Sequence, residues 1–148
     1  MASKTIAQLR ADVGARLATL TGFRASLVSP DNFGRDADTL LGSPCYVVHP
    51  VTTTDLRQYR QRPAEGTLVE TTLQVRYAYR LKPTDMAASY DLALGVEQQI
   101  VQTLMVYDAT WPGSYKVQYT SSTRETVPSG EWVIGTVEFR VVHTLPLQ

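Results

Sequence analysis

Residues 68–108 read LVETTLQVRYAYRLKPTDMAASYDLALGVEQQIVQTLMVYD, a long alternating stretch that passes directly into a long amphipathic one. In Leu68–Leu81 the odd positions Val69, Leu73, Val75, Tyr77, Tyr79 and Leu81 are apolar, whereas the even ones include Glu70, Thr72, Gln74, Arg76 and Arg80. A period of two predicts a strand with one buried face. Pro83 ends that strand, and Thr84 or Asp85 offers a side-chain oxygen to the free N–H groups of a first helical turn. Met86, Tyr90, Ala93, Leu94, Ile100, Val101, Leu104 and Met105 then recur at three- and four-residue spacings, which gathers them on one face of a helix. The helix is expected to lie on the sheet that the strand begins.

The strand is long for its domain. At about 3.3 Å per residue it would reach roughly 43 Å, against a diameter of roughly 38 Å for a compact domain of this size. It must bulge, curl or project, and a projecting edge offers backbone groups that another chain can satisfy.

On the N-terminal side, Thr5 and Gln8 fit a capping box, and Ile6, Leu9, Val13, Leu17 and Leu20 share one face of a first helix that Thr21-Gly22 is expected to end. Arg10, Asp12 and Arg16 beside this stripe read as a solvated face. Phe23–Ser29 reads as a short strand, residues 30–34 as a turn, and Cys45–His49 as a β-branched and aromatic strand closed by Pro50. Residues 51–66 are polar without a clear period, and connections longer than about 12 residues in a compact domain are usually functional or disordered. This segment is either an exposed loop or the arms of a hairpin that prolong the long strand, a projection at about residues 51–67.

On the C-terminal side, Trp111–Ser114 forms a turn, and Tyr115, Val117 and Tyr119 alternate with Lys116 and Gln118 as a strand. Ser121–Gly130 reads as a polar connection. The last strand runs from Glu131 to Leu145, with Val133, Val137, Phe139 and Val141 on one face. Its polar members could pair with Arg76 and Arg80 if the two long strands are neighbours. Two helices, each apolar on one side, with several strands imply a single two-layer α+β domain: a mainly antiparallel sheet with both helices on one face.

The chain has 148 residues and a formal net charge of zero, with 14 basic and 14 acidic side chains. A neutral total gives no electrostatic footprint for holding a polyanion. Only Lys4, Lys82 and Lys116 are lysine, and the remaining cations are arginine, the residue suited to fixed, planar pairing across interfaces. Cys45 is the sole cysteine, so no intrachain disulfide forms. The N-terminus lacks the apolar core of a secretory signal, and no apolar run approaches the ~20 residues that span a bilayer.

Chemistry is sparsely represented. Cys45 and His49, on one presumed strand, stand about 13 Å apart along the backbone, too far for nucleophile activation or a shared metal ion. No glycine-rich phosphate loop of either common pattern occurs, and no cofactor is expected. Glu97 falls near the middle of the second helix's apolar arc, where an unpaired charge is costly. An arginine, from this chain or a neighbour, is expected to bind it and fix register. Arg57, Tyr59, Arg60 and Arg62 lie together in the 51–66 segment; an aromatic and basic cluster can bind single strands, but in a neutral protein it fits an inter-subunit contact better.

The order of elements resembles the tail-terminator proteins of long-tailed bacteriophages, also called minor tail protein U or tail-completion proteins. The resemblance is carried by the opening helix Thr5–Leu20, the segment between residues 29 and 44, the strand beginning Cys45-Tyr46-Val47-Val48, the long strand ending Val75-Arg76-Tyr77-Ala78-Tyr79-Arg80, the second helix, and the closing alternation Trp132–Val141. It covers nearly the whole chain but includes no short diagnostic motif, so no residue's role is transferred by it. It implies a non-enzymatic virion protein, assembled in the host cytoplasm, that forms a hexameric ring on the head-proximal end of the tail tube. Such a ring halts tube polymerisation and presents the head–tail joining surface. Its implied partners are further copies of itself, the tail tube protein and the head–tail connector, with genome DNA passing through the lumen without sequence-specific binding. The competing readings are another neck protein of the virion and, from a different class, a small ligand-binding or enzymatic α+β domain, which a deep pocket with convergent polar groups would favour. On this reading Arg57, Tyr59, Arg60, Arg62, Arg76, Arg80 and Glu97 are candidates for contacts to neighbouring subunits or the tube. Replacing the central carboxylate, Glu97→Ala, is expected to lower the melting temperature or the assembled mass; unchanged values of both would remove Glu97 from this role.

Overall fold

The computed structural model describes residues 3–20, 24–25, 45–56, 66–82, 84–126 and 132–146. In chain order the elements are α1 (Ile6–Leu17), β1 (Arg24–Ala25), β2 (Cys45–Asp55), β3 (Thr67–Arg80), α2 (Met86–Met105), β4 (Lys116–Thr126) and β5 (Trp132–Leu145). The strands form one open sheet in the order β1-β2-β3-β5-β4. Only β1 and β2 pair in parallel; the other neighbours are antiparallel. Both helices pack on one face, which gives the two-layer α+β fold expected from the sequence.

The alternation in β3 produces the buried face as predicted: Val69, Leu73, Val75 and Tyr77 are all buried. Opposite them in register on β5 stand His143, Phe139, Val137 and Gly135. Leu9, Val13 and Leu17 of α1 and Ile100 and Leu104 of α2 close over these rows as one core. The length of β3 is accommodated without a bulge of its own, since it pairs with β5 without a break from Thr67 to Arg80. The irregularities lie in the outer strands instead, between Pro50 and Thr52 in β2 and between Tyr119 and Ser121 in β4. Both flank one row of the sheet, in which Pro50 faces Leu73, Leu73 faces Phe139 and Phe139 faces Tyr119. A bulge increases local twist, so the two outer strands turn at the same level while the central pair stays regular.

Several expectations are corrected. The strand that Pro50 was expected to close continues through Val51–Asp55, paired with β3 down to Asp55 opposite Val69; of the two alternatives for the 51–66 segment, its first part is the hairpin arm. Ser121–Thr126 is likewise strand and not a polar connection. In both places threonine and serine are compatible with a pleated edge exposed to water, where no apolar alternation is needed. Met86 and Tyr90 were expected in the core, yet they are 43% and 37% exposed, because the buried stripe of α2 runs through Ser89, Ala93, Glu97, Ile100 and Leu104 and leaves them at its side. On the face away from the helices a second cluster is buried at one end of the sheet: Cys45, Val47, Ala78, Trp132 and Ile134. The first helix ends at Leu17 with Ala18 as its cap; Thr21-Gly22 and most of Phe23–Ser29 lie outside the described residues, as do Arg57, Tyr59, Arg60 and Arg62.

The polar side of α1 is partly solvated, with Arg10 exposed and the Asp12 side chain 39% exposed, and it is also a set of tethers. Arg10 Nε donates to the Val48 carbonyl at 3.1 Å, and Asp12 accepts from the Tyr115 hydroxyl at 2.6 Å while pairing with Lys4. Arg16 donates to the carbonyls of Thr103 and Val106 and to Asp108. It supplies the cation that the last turn of α2 lacks, where unpaired carbonyls and the helix dipole favour positive charge.

Gly135 shows how closely the helix-facing layer is packed. A Cβ there would sit 2.1 Å from the Tyr77 ring, which lies over the glycine. Gly135→Ala is therefore expected to destabilise the fold by about 1–3 kcal/mol through overpacking, measured by chemical denaturation; a neutral result would mean that the ring is free to move aside.

Candidate functional site

Tyr77, Gly135 and Arg124 occupy one row across β3, β5 and β4. Because Gly135 has no side chain, Tyr77 leans over it from one side and Arg124 reaches in from the other, and both meet Glu97 of α2. The Tyr77 hydroxyl donates to Oε1 at 2.8 Å, Arg124 Nε to Oε1 at 2.9 Å and Arg124 Nη2 to Oε2 at 2.6 Å. Glu97 is 7% exposed. A carboxylate so placed requires charge-assisted, two-pronged bonding of this kind. The arginine expected from the sequence is thus Arg124 of the same chain.

The electrostatics follow the geometry. Burial, followed by the bond to Glu97, pushes the Tyr77 phenol well above its ordinary range, and the bond and charge of Glu97 raise Arg124 further still. Three donors converge on one carboxylate and engage both of its oxygens. What the cluster does is clamp: it joins the outer strand β4 to α2 across the sheet and fixes the row in which they meet.

The remaining candidates do not converge here. Arg76 faces Val47 and Thr136, and Arg80 faces Trp132, both at even positions that lie on the side of the sheet away from Glu97. β3 and β5 are neighbours as the pairing idea required, and Glu138 stands opposite Gln74, whose amide donates to it at 3.4 Å. Arg124 and Tyr77 were not foreseen as partners of Glu97. Arg124 lay in a stretch read as a connection, and its facing is set by the bulge near Thr120, which has no sequence mark.

A second buried polar chain crosses the same face. Thr53 Oγ1 lies 2.9 Å from Thr71 Oγ1, and Thr71 Oγ1 lies 2.8 Å from His143 Nε2. His143 Nδ1 is 3.1 Å from the Lys4 carbonyl. A carbonyl only accepts, so Nδ1 carries the proton, Nε2 accepts from Thr71, and Thr71 accepts from Thr53. Burial drives the His143 imidazole below its ordinary value, offset in part by the Lys4 carbonyl. Lys4 is itself held by its N–H to the Thr144 carbonyl, so the chain start is stapled to the end of β5.

A cleft of about 330 Å³ lies beside this staple, lined by Lys4, Asp12, Arg16, Trp111, Ser114 and Tyr115 among others. Its charges are mostly spent on each other: Lys4 on Asp12, and Arg16 on Asp108. Bonds from the Thr110 and Trp111 N–H groups, and then from Arg16, hold the Asp108 carboxyl well below the usual carboxylate range. Among the described residues no group of three His, Cys, Asp or Glu side chains could hold a metal ion, and no helix is long and apolar enough to cross a membrane. Compared with protein-family models and with curated proteins, the sequence matches none.

The titrating groups define a stability window. Unfolded histidine titrates near 6.5; with its folded value depressed, the unfolded chain binds the proton first, so His143 contributes fully above that pH and its contribution falls as the pH drops below it. Tyr77 and Tyr115 are raised above 10.0, so the unfolded chain loses those protons first and stability declines as the pH climbs past 10. Denaturation midpoints are expected to be highest between these limits. His143→Gln should flatten the limb between about pH 6.5 and 5, above the range in which most carboxylates protonate; an undiminished limb in that variant would assign it elsewhere.

Proposed function

We propose that this chain is a structural virion protein, a tail terminator that forms a ring on the head-proximal end of a phage tail tube, stops its growth and offers the surface to which the head connector joins. The observation that carries the proposal is the β2–β3 hairpin. Its outer strand emerges from beneath the helices at Val51, which is 43% exposed, and runs past Leu56, 45% exposed, toward Arg57–Arg62. A monomer gains nothing from an arm that carries apolar side chains into water and leads to a tyrosine and three arginines, whereas a neighbouring copy or a tube end would cover it. Exposed Leu92, Val106 and Tyr107 on and just after α2 add apolar surface that such contacts use. The internal saturation of the Glu97 cluster also accords with a protein that holds shape and carries out no covalent chemistry. DNA would pass through the ring without being read.

The test is to add the purified chain to polymerising tail tube protein and to follow tube length and end structure by negative-stain imaging, with mass measurement of the chain alone and with tubes. Short tubes bearing a ring at one end are the expected result, and Arg57→Ala/Arg60→Ala/Arg62→Ala should lengthen them. Tubes of unaltered length with uncapped ends, at saturating concentrations of a folded chain, would defeat the proposal.

A further inference from the structure

The two outer edges of the sheet are guarded unequally. On the β2 side, β1 covers Cys45 and Tyr46, Arg10 takes the Val48 carbonyl, and Pro50 has no N–H to offer. On the other side β5 occupies the inner edge of β4, and among the described residues no strand pairs with the outer edge. Its one guard there is Tyr107, whose hydroxyl donates to the Val117 carbonyl at 3.3 Å. That a side chain reaches this carbonyl places the Val117 backbone groups on the open edge, because antiparallel residues alternate between facing the partner and facing away. Tyr119, Ser122 and Arg124 share the orientation of Val117, since all four stand opposite odd positions of β5: Val141, Phe139, Val137 and Gly135.

We propose that β4 pairs with β4 of a second copy of this chain, antiparallel, about a two-fold axis that passes through the bulge at Thr120-Ser121. In that register Tyr119 faces Ser122 of the second copy, Val117 faces its Arg124, Gln118 its Thr123 and Lys116 its Glu125. Three features select it. Outward backbone groups meet outward groups, so the ladder closes. Facing side chains lie on the same side of the sheet, so both copies keep their helices on one face and the sheet runs on through the joint. Lys116 and Glu125, both exposed and both on the face away from the helices, meet with opposite sign at each end, and unlike charges opposite one another favour a strand pair. Sliding the strands by two residues preserves the faces but sets Lys116 against Thr123, or Gln118 against Glu125, and loses both charge pairs. The central residues Thr120–Thr123 are small and polar and present no steric barrier. A ladder of this length is a small interface, in the class of weak and transient contacts.

The pair is distinct from the proposed ring. A cap on a polar tube has every copy pointing the same way, whereas a two-fold relates copies head to head, so the pairing describes the protein free of the tube and covers its open edge until then. The test is sedimentation equilibrium of the full chain over a range of concentrations. The mass should climb from 16.4 kDa toward twice that value. Lys116→Glu and Glu125→Lys should each weaken the association about tenfold, and the two together should restore it. Tyr107→Phe, by freeing the Val117 carbonyl, should tighten it, and Ser122→Pro should abolish it while leaving the circular dichroism of the fold intact. A monomeric mass at every concentration, single charge reversals without effect, or a double reversal that fails to restore the dimer would each overturn the pairing. A closed ring formed directly from monomers would overturn it too, while favouring the tail-terminator reading.

Discussion

A single buried carboxylate sets the terms for the rest of this fold. Glu97 enters the helix–sheet interface among apolar side chains, and leaving it unpaired there would cost several kcal/mol. It is held by a tyrosine from β3 and an arginine from β4, which reach it past the bare backbone of Gly135 on β5. Three strands and one helix are thereby placed in a single register. Hydrophobic burial would accept α2 at several positions along the sheet, since aliphatic surfaces slide; the charged fork does not. The interaction is better understood as specifying one arrangement than as adding net stability, because the cost of taking Glu97 out of water offsets much of its attraction to Arg124, whose side chain stays 40% exposed.

The same logic extends to the polar side of α1. Arg10, Asp12 and Arg16 each fasten the helix to a different element: the edge of β2, the start of β4 through Tyr115, and the end of α2. The sheet's central strands are fixed by apolar packing and its periphery by directed polar bonds. Its edges follow suit: among the described residues one is closed by β1, Arg10 and Pro50 and the other is guarded by Tyr107.

The layer arrangement was legible in the sequence because water imposes a period on any element that lies between core and solvent. Leu68–Leu81 and Glu131–Leu145 alternate, Thr5–Leu20 and Met86–Met105 repeat every three or four residues, and all four elements are where those periods put them. Glu97 stood out for the same reason, as a charge on an apolar arc. What failed to show were the places where no period is enforced. Val51–Asp55 and Ser121–Thr126 lie in outer strands that are largely wet, so their serines and threonines carry no facing signal. Arg124 lies beyond a bulge that shifts parity by one, and without that shift its side chain would be assigned to the wrong face. Arg10 and Arg16 were read as solvated because charged residues beside a stripe usually are; their partners are backbone carbonyls, which every residue has and no sequence advertises.

The position of β5 in the sheet has a consequence for how the chain acquires its shape. It follows every other described element in sequence, yet it lies between β3 and β4, and it receives Lys4 from the chain start. Until it emerges, β4 has no neighbour to lie against, Tyr77 has no glycine to cover, and Lys4 has no Thr144 carbonyl to bond. Folding of this chain therefore waits on its most distant contacts, which places it among the slower topologies. In a nascent chain paused before residue 132, the apolar side of β3 lacks the strand that belongs beside it.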